Sequence, residues 1–208
     1  MAHRYFSADF HFGMESLMKI ERWPFNTIKE HDDALVRSCV ERTNPNDIIY
    51  HIGDLATFKV DNNKTIVKNL EIKPYTMLKD VPATFINIRG NHDLHNKVKS
   101  ACESMTIYLN KRFPQVSLSH YPTYDYRIDQ SCLCAPIHLC GHVHNAWKYC
   151  LDLDHRILNI NVGCMQWGFK IISDEELIIY LNEIFKKSPD NLFRCHNNYG
   201  KIVFFKER

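Results

Sequence analysis

Apolar residues recur along this chain in short runs, and most of the runs end in a polar or glycine-bearing cluster. Residues 4–10 predict a first strand, and residues 12–25, without steady periodicity and broken by Trp23-Pro24, predict a loop. Asn26 or Thr27 caps a helix running to about Arg42, with Ile28, Ala34, Leu35 and Val36 at its apolar positions and Asn44-Pro45 closing it. Residues 47–52 predict a buried strand ending at Gly53-Asp54, and residues 64–70 a short helix. A strand over 83–89 ends at Gly90-Asn91-His92-Asp93, where a second helix starts and runs to about Met105. Further strands are predicted over 115–119, 136–140 and 157–162, ending at His120, at Gly141-His142-Val143-His144 and at Gly163. Ser173 and Glu176 have the spacing of a capping box for a helix to about Lys187, and 193–206 predict a hairpin around Asn197-Asn198-Tyr199-Gly200. With no repeat or linker, 1–208 is expected to form a single mixed α/β domain.

Composition narrows the class. A 45% hydrophobic content over 208 residues is enough for a sizeable core and excludes disorder. The balance of 26 basic and 24 acidic residues gives a formal charge of +2, so no overall field marks a nucleic-acid or membrane-surface binder. No apolar run approaches the roughly 20 residues that cross a bilayer, and the first residues carry no signal-peptide core, so a cytoplasmic location is expected. The eight cysteines lack paired CxxC spacing and read as reduced core residues.

The chemistry lies in the strand-end clusters: Asp9-x-His11, Gly53-Asp54, Gly90-Asn91-His92-Asp93, His120 and Gly141-His142-Val143-His144. Each alone is weak, since residues two apart on any extended segment share a face. Loops at strand carboxyl ends converge on one rim, however, so five such clusters can meet in one place. Two divalent cations about 3.5–4 Å apart need a shared carboxylate, further anionic ligands and neutral imidazoles. Asp54 is the natural bridge, and Asn91 ligates through a neutral carbonyl oxygen. A nitrogen and oxygen donor set without thiolate favours two transition-metal ions, Mn²⁺ first, with Fe, Zn²⁺, Ni²⁺ or Co²⁺ as alternatives.

At these residues the chain resembles the calcineurin-like metallophosphoesterase superfamily, whose D-x-H, G-D, G-N-H-D/E, lone H and G-H-x-H pattern is matched in order. Asn161-Val162-Gly163 continues the likeness, and Trp23-Pro24-Phe25 and Trp167 are similar to those of small bacterial and phage phosphoesterases. The resemblance implies a two-sheet β-sandwich core flanked by helices (α/β) and a binuclear centre. It implies Asp9, His11 and His144 on one metal, Asn91, His120 and His142 on the other, and Asp54 on both. His92 would stand beside the bound phosphate, and the retained ligand set argues against a role as scaffold alone.

His92, when protonated, either donates its proton to the leaving oxygen or hydrogen-bonds the developing charge, with plain phosphate binding as the competing role. Asp93 either orients His92 or caps its own helical turn. Arg89 approaches phosphate or pairs with a carboxylate, and His51 orients a ligand or sits in the core. Tyr121, Tyr124, Tyr126, Trp167 and Phe169 can border the rim and stack a base, or cover the core. Lys111, Arg112, Arg127 and Lys148 form no basic run. The expected activity is hydrolysis of a phosphate ester. A phosphodiester such as a nucleotide or single-stranded oligonucleotide is preferred to a monoester, because no dense arginine cluster awaits a dianion.

Overall fold

Tyr5 and Phe6, like Ile49 and Tyr50, are adjacent and both buried, so the strands carrying them need a partner layer on each face. The computed structural model, which describes residues 2–56, 73–187 and 202–205, supplies both layers. In chain order its elements are β1 (Arg4–Ser7), α1 (Glu15–Ile20), α2 (Ile28–Arg42), β2 (Ile48–Ile52), α3 (Lys73–Met77), β3 (Thr84–Ile88), α4 (Asn91–His95), β4 (Ser104–Ile107) and β5 (Val116–Ser119). There follow β6 (Ile137–Cys140), β7 (Tyr149–Asp152), β8 (Ile157–Asn161), β9 (Ile172–Ser173), α5 (Asp174–Lys187) and β10 (Ile202–Phe205). The strands form a four-stranded sheet, β3-β2-β1-β9, and a six-stranded sheet, β10-β7-β8-β6-β5-β4. This is the expected mixed α/β architecture.

Between the sheets, Phe6, Tyr50, Ile52 and Ile88 meet Leu118, Ile137, Leu139, Leu158 and Ile160 in one core, which Leu177, Leu181 and Ile184 of α5 join. On the outer face of the smaller sheet, Tyr5, Ile49, Phe10 and Phe12 pack with Leu35 and Cys39 of α2 and Met18 of α1. Helix α2 begins as predicted, with Thr27 Oγ1 accepting from the Glu30 N–H at 3.2 Å. At the start of α5, Ser173 Oγ accepts from the Glu176 N–H and Glu176 returns the bond to the Ser173 N–H, the reciprocal pair its spacing predicts. All described cysteines are free, and Cys39, Cys132, Cys140, Cys150 and Cys164 are buried.

Three expectations need correction. The first strand stops at Ser7, because Asp9 and His11 take φ of 56° and 44°, which no ladder accommodates. Residues 12–25 contain α1, a single short helix without a side-chain cap. The helix begun at Asn91 ends at His95, where Asn96 caps it and Lys97 turns to φ 55°; the chain then bridges β3 at Cys102 and enters β4, antiparallel to β5. The helix expected over 64–70 lies outside the described residues, as does residue range 193–201 of the expected hairpin; β10 pairs antiparallel with β7.

Strands β1, β2 and β3 are parallel, as are β5, β6 and β8. Their carboxyl ends therefore open on one side, and a bridge between Ala8 and Gly163 joins the two sheets there.

Candidate metal centre

The loops leaving these strands are unusual in their backbone. Among the described residues nine non-glycine positions have positive φ, and five of them are Asp9, His11, Asp54, His142 and His144. Such conformations cost energy and persist where surrounding bonds over-determine them. Here the Asp9 N–H donates to the carbonyl of Gly53, the His11 N–H to that of Asp54, and the His142 N–H to both carboxylate oxygens of Asp9. Asn161 Nδ2 and Gln166 Nε2 each donate to the carbonyl of His144 at 2.8 Å. Gly90 is required by crowding, since a Cβ there would overlap Oδ1 of Asp54, and Gly53 by its φ of 87°.

These backbones bring all seven expected ligands to one place. Donor atoms of Asp9, His11 and His144, of His11, Asp54 and His92, and of Asp9, Asp54 and His120 form three groups whose members lie within 4.8 Å of one another. Asn91 Oδ1 is 3.0 Å from His120 Nε2 and 3.1 Å from His142 Nδ1. Nδ1 of His120 faces the carbonyl of Ile52 at 3.0 Å, which turns Nε2 towards the centre, 3.3 Å from Asp54 Oδ2. Nε2 of His11 and Nε2 of His144 meet head-on at 3.1 Å. Converging ring nitrogens, carboxylates and one amide oxygen, with no thiolate among them, fit divalent cations of borderline softness. His92 stands at the edge, its side chain about one third exposed, with Nε2 3.9 Å from Asp54 Oδ2.

The electrostatics are those of a site built for positive charge. Burial raises the Asp9 carboxyl to about 6. Burial acts the same way on Asp54, but His120, His11 and His92 hold it well below the usual range. His120 is lifted against the effect of burial to about 9 by Asp54 and Asp9. Burial lowers His11, and it lowers His142 to about 4 with help from the charges of His120 and Arg127. Protons on the imidazoles thus compete with a cation for the same lone pairs.

Asp93 is buried, and its oxygens accept from the backbone N–H groups of Asp54, Leu55 and Gly90 at 2.8–2.9 Å. It thereby ties the loop after β2 to the turn after β3. Nothing in the chain's periodicity marks Glu21, yet its Oε1 lies 2.5 Å from His144 Nδ1. Trp23 Nε1 and Asn145 Nδ2 both donate to its other oxygen, each at 3.2 Å. A glutamate followed by Arg22 and Trp23 in a loop-like stretch carries no sequence signal of that role.

Other candidates are placed elsewhere. His51 is buried between Phe10 and Phe85 with Nδ1 on Asn87, and burial lowers it to about 4. Arg89 pairs with Glu103 at 2.6 Å. Phe169 packs with Trp23, Phe25 and His31, and Trp167 against Tyr180, so both belong to the cores. Tyr124 bonds Trp147 behind β6. Tyr121 lines a cavity at the rim, and Tyr126 is exposed. Among the described residues no helix is long and apolar enough to cross a membrane.

A sequence model of the calcineurin-like phosphoesterase superfamily domain matches residues 8–176. An uncharacterized protein of Methanocaldococcus jannaschii is 28% identical over 89 residues, which span 43% of this chain and 46% of that protein. The crystal structure of a protein of unknown function from Aquifex aeolicus has a similar fold, with a TM-score of 0.62 and 23% identity over 86% of this chain and 100% of that one. Since the family match runs from the end of β1 into the first turn of α5 and takes in every strand-end cluster, the chain belongs to the calcineurin-like phosphoesterase superfamily.

Proposed function

We propose that the protein is a hydrolase that uses two divalent cations, manganese first among them, to cleave a phosphodiester. The observation that carries this reading is that Asp54 Oδ2 lies 3.8 Å from His11 Nε2 and 3.3 Å from His120 Nε2, in one cluster with Asp9 and His144, while Asn91 Oδ1 adjoins His120 and His142. When bound, the cations supply Lewis acidity to the phosphoryl oxygens and acidify water. The chain's own residues do the rest. Asp54 Oδ1 accepts from the backbone N–H of His92 at 2.8 Å, which fixes the start of α4 and with it the His92 ring at the open edge. From there the protonated ring is placed to give its proton to the leaving alkoxide as the water oxygen attacks phosphorus in line and releases a proton to solvent, the P–O bond breaks and the alcohol departs, leaving His92 neutral. His11, packed edge-on against His92 at 5.1 Å, limits the ring's orientations.

The test is metal analysis of the unstripped protein followed by a manganese-supplemented panel of bis(p-nitrophenyl) phosphate, p-nitrophenyl phosphate, cyclic nucleotides, dinucleotides and single-stranded DNA or RNA. About two ions per chain and turnover of a diester are expected. His92→Ala should keep the ions and lose roughly 10²–10⁴-fold in turnover, least for acidic leaving groups. Occupancy far below one under saturation would sink the binuclear reading. Turnover confined to the monoester would reverse the substrate preference, and inactivity on the whole panel with metal bound would leave a binding protein.

A further inference from the structure

Beside Asn91 and His120 opens a cavity of about 400 Å³, whose charged walls are Arg89, Glu103, Arg127 and Asp129. Neither arginine is a free cation. Arg89 Nη1 donates to Glu103 Oε1 at 2.6 Å. Arg127 is held more firmly: Nε and Nη2 fork onto the two oxygens of Asp125 at 2.8 and 2.6 Å, and the guanidinium lies over the Tyr121 ring at 4.3 Å. Its Nη2 also reaches His142 Nε2 at 2.9 Å, which sets the group at the edge of the metal centre. Nη1 makes no hydrogen bond among the described residues. Asp129 is anchored by Ser104 and by the Ser131 N–H. Around this wall three carboxylates therefore face two guanidinium groups. This wall, the arginines and their acids together, offers rigid hydrogen-bond donors without net positive charge of its own.

We propose that Arg127, oriented by Asp125, donates to a nonbridging oxygen of the substrate phosphate, and that the Arg127–Asp125 and Arg89–Glu103 pairs make this cavity select a monoanionic phosphodiester over a dianionic phosphomonoester. The inference rests on the phosphoesterase reading above. Both esters gain the same donors from Arg127, and a dianion doubles its attraction to the two guanidinium groups as well as its repulsion by the three carboxylates, so the one carboxylate in excess counts against it twice as much as against a monoanion. Selection thus comes from the compensating acids, while anchoring comes from Nη1, the arm of the guanidinium that Asp125 leaves open.

Manganese-loaded wild type, Asp125→Asn and Arg127→Ala are compared in two ways. The first is kcat/KM on bis(p-nitrophenyl) phosphate and p-nitrophenyl phosphate. The second is the affinity for dimethyl phosphate and for inorganic phosphate at about pH 8, where the latter is a dianion. Asp125→Asn should move both ratios towards the dianion by about tenfold, and Arg127→Ala should weaken both anions with cation content unchanged. Ratios that do not move in Asp125→Asn overturn the proposal; if that variant fails to fold, Glu103→Gln, on the exposed pair, must move them in the same direction. Should wild type hydrolyse neither these esters nor any other member of the panel, the phosphoesterase reading fails, and the affinity ratio alone still decides charge selection.

Discussion

Glu21 and His144, separated by 123 residues, meet with Oε1 and Nδ1 2.5 Å apart. The carboxylate fixes the proton on Nδ1 and leaves Nε2 turned towards His11. Burial opposes charging of His144, but this bond and the charges of Asp9 and Glu21 raise its pKa. Glu21→Gln should therefore weaken cation binding by about 10–100-fold, since a glutamine holds the ring less firmly and makes it less basic. Manganese titration by calorimetry reads this directly, and Glu21→Asp, whose shorter arm keeps the charge, should recover part of the loss. Wild-type affinity in Glu21→Gln would remove Glu21 from the centre.

Asp54 reaches two ring nitrogens of the cluster, with Oδ2 3.8 Å from His11 Nε2 and 3.3 Å from His120 Nε2, as a ligand shared by two cations must. Asp54→Ala should reduce bound metal after gel filtration from about two ions per chain to less than one, whereas His144→Ala, at one side only, should retain about one. Equal losses in the two variants would contradict a shared ligand.

Asp93 makes a different demand on the fold. Its oxygens satisfy three buried backbone donors, and each such group left without a partner costs about 1–3 kcal/mol. Asp93→Ala should lower unfolding stability by at least about 3 kcal/mol in urea titrations, and Asp93→Asn, with one acceptor oxygen left, by less. Loss of turnover at an unchanged urea midpoint would instead assign Asp93 to the reaction.

The centre was legible because its residues sit at the ends of apolar strands, where local sequence and location coincide. Asp9, Asp54, Asn91, His120 and His142 each follow such a run within a few positions. Glu21, Asp125 and Arg127 were not, because their roles arise between loops that only the folded sheets bring together. The elements missed were of the same kind. Strand β7 has four residues, and α1 buries only Met18, so neither carries enough periodicity to stand out; β4 owes its form to pairing with β5. Helix α4 was overextended because a turn at Lys97, not a proline or glycine, ends the helical path.

Two buried histidines outside the expected ligand set, His138 and His51, give the fold a pH dependence of definite sign. His138 is fully buried; its Nδ1 accepts from Ser117 Oγ at 2.8 Å and its Nε2–H donates to the carbonyl of Tyr121 at 2.9 Å, so the neutral ring is fully satisfied. Burial lowers it to about 4, as it does His51. In the unfolded chain both titrate near 6.5. The unfolded state therefore takes up their protons first. Their contribution to stability is complete above about pH 6.5 and falls away as the pH drops towards 4. Asp9, raised to about 6 in the metal-free centre, works in the opposite sense below that pH, so the slope must be assigned by difference. In the presence of chelator, His138→Gln should flatten the dependence of unfolding free energy on pH between these limits by one proton, about 1.4 kcal/mol per pH unit where the difference is greatest. Parallel curves for the variant and the wild type would show that His138 carries a proton in the folded state.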